Sequence, residues 1–216
     1  MATTATEDAY TAEPFVPSRG GLSALREAAA ECRGCPLHRE ATRTVFGKGR
    51  TGARVVLVGE QPGDQEDRQG EPFVGPAGRL LDRALAEAGI DPAQAYVTNA
   101  VKHFKFTRSA PGKRRIHKAP SLREMTACGP WLAAELALVE PELIVVLGAT
   151  AGKALLGSSF RVTQQRGILL EEEIHGRKEQ RVVATIHPSA VLRSDDRDAA
   201  YRGLVSDLKV AAQALR

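Results

Sequence analysis

Three short apolar runs constrain the fold of this chain more than any other feature of its sequence. They span residues 54–58 (RVVLV), 96–101 (YVTNAV) and 143–147 (LIVVL). Runs of this length that are rich in β-branched residues are typical of buried strands, and a glycine directly follows the first and the third. The sequence therefore predicts a sheet whose central strands are covered on both faces.

Helical patterns separate these runs. Apolar residues recur at helical spacing over residues 78–88, and Ser121 with Glu124 forms a capping box that begins a helix directed towards Val139. Strands that alternate with helices predict an α/β protein, with a single-domain three-layer α/β/α fold around a central, mainly parallel sheet. The other predicted elements are helices over 22–30, 150–155 and 198–215 and a strand pair over 168–173 and 181–186.

The composition is that of one ordinary domain, with 43% hydrophobic and 26% charged residues. Residues 1–20 are rich in Thr, Ala, Glu and Pro, so we expect a disordered arm there and one domain over residues 21–216. The first residues have no secretory-signal pattern, and no apolar run approaches the length of a membrane span. We therefore expect a cytoplasmic monomer.

Polar side chains follow the predicted strands. The strands lead into GEQPG (59–63), TNAVKH (98–103), LGATA (147–151) and TIHPS (185–189). In an open parallel sheet the ligand crevice lies beyond the carboxyl ends of the strands. We therefore expect Glu60, Gln61, Asn99 and His187 to meet in one pocket, although each alone could be a loop residue bonded to the backbone.

One glycine-rich segment resembles a phosphate-binding loop without meeting its requirements. GATAGKA (148–154) has three residues between its glycines where a P-loop has four, and Ala154 stands where Ser or Thr would hold magnesium. No GxGxxG follows a strand either. These features argue against nucleoside triphosphates and dinucleotides as ligands.

The basic residues are concentrated in one segment. Residues 102–118 contain seven Lys or Arg and no Asp or Glu, whereas the whole chain has a formal charge of +4, so the remainder of the chain is net negative. Such a segment attracts polyanions by releasing their counterions. Phe104 and Phe106 are interleaved with the cations, which favours nucleic-acid contact over a merely solvated surface run.

The three cysteines cannot all form disulfide bonds with one another. Cys32 and Cys35 have the spacing of metal ligands, and Cys128 lies far away in the sequence. A fourth ligand would have to be another residue or a water, or else be missing.

Five segments, in this order along the chain, resemble the uracil-DNA glycosylase superfamily. They are GEQPGDQEDRQGEPFVGPAGRLLDRAL, TNAVKHFKF, ACGPWL, VVLGATAGKALLG and TIHPSAVL. The resemblance covers residues 31–215, and within the superfamily it is to the iron–sulfur branch that includes family 4. The segment GKRRIHK (112–118) is similar to that of the subgroup called UdgX.

The resemblance implies that a uracil base flips out of the DNA strand into a small pocket. Phe73 matches the ring that stacks on the base, and Asn99 matches the amide that reads its edge. His187 matches the histidine that hydrogen-bonds the pyrimidine O2, and Gly59 belongs to the same base-binding set. The implied partner is uracil-containing DNA, which we expect to be single-stranded.

The resemblance also implies a metal cofactor. Family 4 holds a [4Fe–4S] cluster on four cysteines, and Cys32, Cys35 and Cys128 match three of them. His103 stands where the remaining cysteine is expected, as in UdgX-like proteins. We expect a [4Fe–4S] cluster with a structural role, and structural zinc is the alternative because three Cys and one His are a common zinc set.

The UdgX resemblance implies that His117 itself captures C1′ of the deoxyribose and leaves a covalent protein–DNA adduct. Glu60 would position or deprotonate His117 and stabilise the cationic sugar. Gln61 would orient a second group, and Arg115 would either anchor the loop to a phosphate or brace the site. The cations expected to attract the DNA backbone are Lys113, Arg114 and Lys118.

Two alternatives remain at this point. One is an ordinary glycosylase in which Glu60 activates water and His117 only contacts phosphate. The other is a non-catalytic, metal-stabilised nucleic-acid-binding domain.

Overall fold

Seven strands form two sheets in the computed structural model, which describes residues 10–110 and 112–216. The main sheet has the strand order β2-β1-β5-β7-β6, and only β6 runs antiparallel to its neighbour. A separate antiparallel hairpin consists of β3 and β4. The strands are β1 (Val55–Gly59), β2 (Ala95–Asn99), β3 (Phe106–Thr107), β4 (Ile116–His117), β5 (Leu143–Leu147), β6 (Leu169–Ile174) and β7 (Arg177–Thr185).

Helices cover both faces of the main sheet, so the predicted three-layer α/β/α fold is confirmed. Along β1, Val55 and Leu57 pack against α3, α7 and α8, whereas Val56 and Val58 pack against α4 and α5. None of the helices among the described residues combines the length and apolarity that crossing a membrane requires. The helices are α1 (Leu22–Ala30), α2 (Asp64–Gln69), α3 (Pro76–Ala88), α4 (Leu122–Val139), α5 (Gly148–Leu156), α6 (Val162–Gln165), α7 (Pro188–Arg193) and α8 (Arg197–Ala214).

The predicted elements are present with shifted ends. The strand β2 ends at Asn99, two residues earlier than predicted, because the chain turns there towards the basic segment. The predicted capping box of α4 is confirmed, with Ser121 and Glu124 bonded to each other's backbone N–H. The short helices α2, α6 and α7 and the hairpin β3–β4 were not predicted, because each is too short to show an apolar period.

The prediction of a disordered arm over residues 1–20 is wrong for the part that the structure describes. A 3-10 turn spans Glu13–Phe15, and Ala12 is 1% exposed. The backbone N–H of Ala12 donates to the carbonyl of Ala127 at 2.7 Å, which fixes this segment to the start of α4. The predicted arm over residues 1–9 lies outside the described residues.

A third apolar cluster lies beside the sheet and joins the N-terminal segment to α4. It contains Ala12, Leu25 and Ala29 together with Phe46 and Trp131. All three cysteines of the chain belong to this cluster. The N-terminal segment and the cysteines are therefore parts of one packed unit.

Candidate active site

Parallel pairing brings the ends of β1 and β2 together. Gly59 is paired with Asn99, and the pairing continues past the strand ends, since Ala100 and Val101 donate to the carbonyls of Gly59 and Glu60 at 2.9 and 3.0 Å. The catalytic candidates that follow β1 therefore lie beside the residue expected to read the base.

Gly59, Asn99 and Phe73 lie against one another at the ends of β1 and β2. A Cβ atom on Gly59 would collide with Oδ1 of Asn99 and with the ring of Phe73, so only glycine allows both to lie against the backbone. Phe73 has a left-handed backbone with φ 56°, and its carbonyl lies directly against Gly78 in the first turn of α3. The helix thus holds Phe73 in a conformation that a non-glycine residue rarely adopts.

His187 lies beside Phe73. Its ring stacks with that of Phe73, with centroids 6.1 Å apart and planes at 27°. The backbone N–H of Ser189 donates to Nδ1 at 3.1 Å, so the neutral ring carries its proton on Nε2. Burial lowers the pKa of His187 to about 4, and the nearby Glu60 carboxylate opposes this only in part. At neutral pH the ring is an uncharged hydrogen-bond donor.

Gln61 ties the hairpin β3–β4 to the end of β1. Its side-chain Oε1 accepts from the N–H of Lys105 at 3.0 Å, and its Nε2 donates to the carbonyls of Lys105 and Lys118 at 3.2 and 3.0 Å. These two residues lie on opposite arms of the hairpin, next to the paired residues Phe106 and His117. The amide therefore fixes both arms at once.

His117 lies at the rim of the pocket between two side chains that follow β1. Its Nε2 is 2.8 Å from Nε2 of Gln61 and 3.2 Å from Oε1 of Glu60, and its side chain is 52% exposed. The Gln61 amide nitrogen is a donor and the Glu60 carboxylate is an acceptor, so Nε2 of His117 lies between two groups of opposite polarity. The structure thus brings together the predicted residues His117, Glu60 and Gln61.

Glu60 is ionised at neutral pH. Burial raises its pKa, but contacts with His117 and Thr150 outweigh that effect and leave the pKa below its usual value. Its Oε1 is buried and has no hydrogen-bond partner among the described residues, since the approach of His117 is not aligned as a hydrogen bond. An ionised oxygen in this position can stabilise positive charge in the pocket.

Arg115 braces the hairpin from behind. Its side chain is 4% exposed; Nη1 contacts Oδ2 of Asp67 at 2.5 Å and the hydroxyl of Thr42 at 3.1 Å, and Nε donates to the carboxylate of Asp64. Of the two roles predicted for Arg115, the geometry fits the brace and not the phosphate anchor. Asp64 and Asp67 were not predicted as site residues, although their spacing places both on one face of α2.

The other cations of the basic segment divide into two groups. Lys102 and Lys105 are neutralised by Glu135 and Glu124, at 2.5 and 2.6 Å. The exposed cations without a carboxylate partner among the described residues are Arg108, Lys113, Arg114 and Lys118. The predicted backbone-binding residues Lys113, Arg114 and Lys118 are thus available to an external anion.

The three cysteines are buried as free thiols. The indole N–H of Trp131 donates to Cys32 Sγ, and the backbone N–H of Lys102 donates to Cys128 Sγ, both at 3.3 Å. Burial raises the pKa of Cys128 to about 12, so without a bound cation the thiol stays protonated. Such N–H···S bonds are suited to stabilise a thiolate when a metal displaces the proton.

His103, the fourth predicted ligand, is also buried. The hydroxyl of Thr44 donates to the carbonyl of Ala29 at 2.9 Å, so it must accept from Nε2–H of His103, also at 2.9 Å. This leaves Nδ1 of the ring with its lone pair, in the arrangement usual for a metal-binding histidine. The donor set fits a metal chemically, but among the described residues no three potential ligands are already placed around a common point.

The neutral state of His187 has a measurable consequence. Because its pKa in the folded protein, about 4, lies below the value of about 6.5 in the unfolded chain, the neutral ring contributes stability that is full above pH 6.5 and is lost as the pH falls towards 4. Between pH 7 and pH 4.5 the wild type should lose about 2 kcal/mol more of its free energy of unfolding than His187→Gln. Urea unfolding at both pH values measures this difference, and equal losses in the two proteins would contradict it.

Comparisons with known proteins agree with this geometry. Residues 46–209 match the family described as the uracil DNA glycosylase superfamily. The chain is 38% identical to a type-4 uracil-DNA glycosylase of Thermotoga maritima, over 80% of this chain and 84% of that protein. It is 35% identical to a type-4 uracil-DNA glycosylase of Pyrobaculum aerophilum, over 80% and 85% of the two chains, and 30% identical to a type-5 enzyme of the same organism, over 71% of each. The chain therefore belongs to the uracil DNA glycosylase superfamily.

Proposed function

We propose that this protein excises uracil from DNA and that His117 captures the resulting sugar as a covalent adduct. The excision is supported by the relatives, which are named uracil-DNA glycosylases. The capture is supported by the position of His117. Gln61 holds the hairpin that carries His117, and Nε2 of His117 lies 3.2 Å from the ionised carboxylate of Glu60. The subgroup we propose is UdgX.

Base recognition uses the small pocket. The flipped uracil stacks on Phe73, and the amide of Asn99, which lies against Gly59, reads the edge of the base. The Nε2–H of His187 donates to O2 of the base as negative charge develops there. A neutral donor that is already oriented contributes several kcal/mol to such a step. Its low pKa keeps the donor uncharged at neutral pH.

Glu60 and His117 act on the sugar in succession. The C1′–N1 bond breaks, its electron pair leaves with uracil, and the carboxylate of Glu60 stabilises the cationic sugar. The lone pair on Nε2 of His117 forms the new bond to C1′. The resulting imidazolium releases its Nδ1 proton to solvent, and the uracil anion takes up a proton. A neutral alkylated imidazole remains attached to the DNA.

Capture requires that the imidazole reach C1′ before water does, and the hairpin is built to allow this. Gln61 bonds both of its arms, and Arg115 bonds two carboxylates of α2. Holding a nucleophile in place removes much of the entropic barrier to the reaction. The exposed cations Lys113, Arg114 and Lys118 attract the DNA backbone, and we propose single-stranded DNA as the partner.

One observation favours ordinary turnover as a second candidate. Oε1 of Glu60 is buried without a hydrogen-bond partner among the described residues, which is the position from which a carboxylate would orient a water. In that case His117 would only contact the DNA, and the product would be an abasic site released at each turnover.

A denaturing gel distinguishes these two candidates. The protein is mixed with a single-stranded oligonucleotide that contains one uracil, and we expect a protein–DNA band that survives boiling in detergent. His117→Ser should lose this band, whereas the neighbouring Lys118→Ser should keep it. Abasic product at many turnovers without the band supports the Glu60-activated water, and unchanged DNA contradicts the excision itself.

The brace on the hairpin is tested by Arg115→Lys. A lysine cannot bond Asp64, Asp67 and Thr42 together, so His117 should be less well held and adduct formation should slow roughly 10- to 100-fold. The matched control is Arg114→Lys, which changes an exposed arginine and should keep the wild-type rate. Rapid-quench single-turnover kinetics measure both variants, and equal rates for wild type and Arg115→Lys contradict the role of the brace.

We propose that Cys32, Cys35, His103 and Cys128 hold a [4Fe–4S] cluster. Their burial, the N–H donors to two of the sulfurs and the free lone pair on His103 support this proposal. The cluster would supply a covalent crosslink between the N-terminal segment, the root of the hairpin and α4. No step of the reaction depends on it.

Metal and sulfide analysis of the purified protein tests this assignment. We expect iron, acid-labile sulfide and a brown colour, and we expect Cys128→Ser to lose all three. The free energy of unfolding should fall in that variant because the crosslink is lost. A colourless protein that contains zinc would replace the cluster with the structural zinc site.

A further inference from the structure

A fully buried ion pair lies beneath the uracil pocket and takes no part in the chemistry above. The side chains of Lys102 and Glu135 are 1% and 0% exposed, and their Nζ and Oε2 atoms are 2.5 Å apart. A buried ion pair of this kind is rarely more stabilising than apolar residues of the same volume, because both charges lose their hydration. Stability alone is therefore a poor explanation for it.

The ammonium group of Lys102 has an acceptor for each of its three protons. Besides Glu135, it donates to the hydroxyl of Thr98 at 2.7 Å and to the backbone carbonyl of Asn99 at 2.8 Å. The carboxylate of Glu135 is equally occupied, since it also accepts from Thr98, the hydroxyl of Tyr96 and the N–H of Gly47. The network meets the backbone at two points, the N–H of Gly47 and the carbonyl of Asn99.

The carbonyl of Asn99 lies on the outer edge of the sheet, which β2 forms. Two residues earlier on the same edge, Val97 exchanges both of its backbone hydrogen bonds with Lys48, at 2.8 and 2.9 Å. At Asn99 this neighbouring segment no longer pairs, and the ring of Phe46 lies 5.6 Å from the ammonium group. Lys102 thus supplies the hydrogen bond that a neighbouring strand would otherwise give to the carbonyl of Asn99, whose side chain is proposed to read the edge of the base.

We propose that Lys102 is a positioning residue for Asn99, and that Glu135 is present to neutralise it. The inference rests on the proposed function, in which the Asn99 amide reads uracil, and it adds a residue that acts through that amide. Oδ1 of Asn99 lies directly against the backbone of Gly59, so a small rotation of the Asn99 peptide moves the amide away from the base. The ammonium group prevents this rotation.

The same residue also connects this site to the cysteines. The backbone N–H of Lys102 donates to Cys128 Sγ at 3.3 Å, and its carbonyl accepts from the N–H of Val45 at 2.8 Å. The main chain of Lys102 is therefore fixed by Cys128 and Val45, while its side chain fixes Asn99. Lys102 therefore links Asn99 to the proposed metal site.

The position of the Asn99 amide can be followed directly by NMR, because Asn99 is the only asparagine in the sequence. Selective labelling with [15N]asparagine gives one pair of side-chain NH2 signals, which reports on Asn99 alone. The test variant combines Lys102→Met with Glu135→Gln, so that no buried charge is left without a partner. The control is Tyr96→Phe, which removes a hydrogen bond to Glu135 but leaves the contact between Lys102 and Asn99.

In the double variant we expect the Asn99 amide signal to shift or broaden, and single-turnover excision of uracil to slow roughly 10- to 100-fold. Tyr96→Phe should keep the wild-type signal and rate. A folded double variant with an unchanged signal and rate overturns the inference. The signal is read without DNA, so absence of excision by the wild type overturns the proposed function and leaves this part of the test intact.

Thermal unfolding shows whether the double variant is folded. If it is not, Thr98→Val replaces it, because this change keeps the ion pair and removes one of the three acceptors that orient the ammonium group. We expect a smaller shift of the Asn99 signal in the same direction. An unchanged signal in Thr98→Val overturns the inference.

Discussion

The parallel register of β1 and β2 is the constraint on which the rest of the site depends. It places Gly59 opposite Asn99 and continues for two residues beyond the strands, so that Glu60 and Gln61 emerge beside Asn99, the residue proposed to read the base. A shift of one residue would turn every side chain of β2 to the other face of the sheet. The residues of β2 oppose such a shift, because Ala95 and Val97 lie in one apolar layer and Tyr96 lies in the other.

Charge in the basic segment has two separate uses. Arg115, Lys105 and Lys102 are paired with carboxylates inside the protein and fix the hairpin and the end of β2. Lys113, Arg114 and Lys118 remain exposed and are available to an external polyanion. A segment that is uniformly basic in the sequence is thus partly an internal framework, and fewer of its charges are available to the proposed DNA partner than the sequence shows.

Sequence patterns predicted the sheet because its strands are continuous apolar runs, and they predicted that the polar residues following β1 and β2 lie at one edge of it. They did not predict Asp64, Asp67 or Glu135, whose partners lie 51, 48 and 33 residues away in the chain. Such pairs become visible only when the fold brings them together. The left-handed conformation of Phe73 and the packing of Ala12 on α4 likewise depend on tertiary contacts that leave no local signal.

The hairpin has only two residues in each strand, which is too short a ladder to stand on its own. Its position is instead determined from outside, by Gln61 at its base and by Arg115 against α2. Within the connection between the two strands, Arg115 supplies one of these anchors, whereas the exposed tip over residues 108–110 and 112–114 contributes none of them. Its length and composition can therefore be changed without moving the imidazole, which makes the tip a natural place to attach a dye, an affinity tag or a second DNA-binding module.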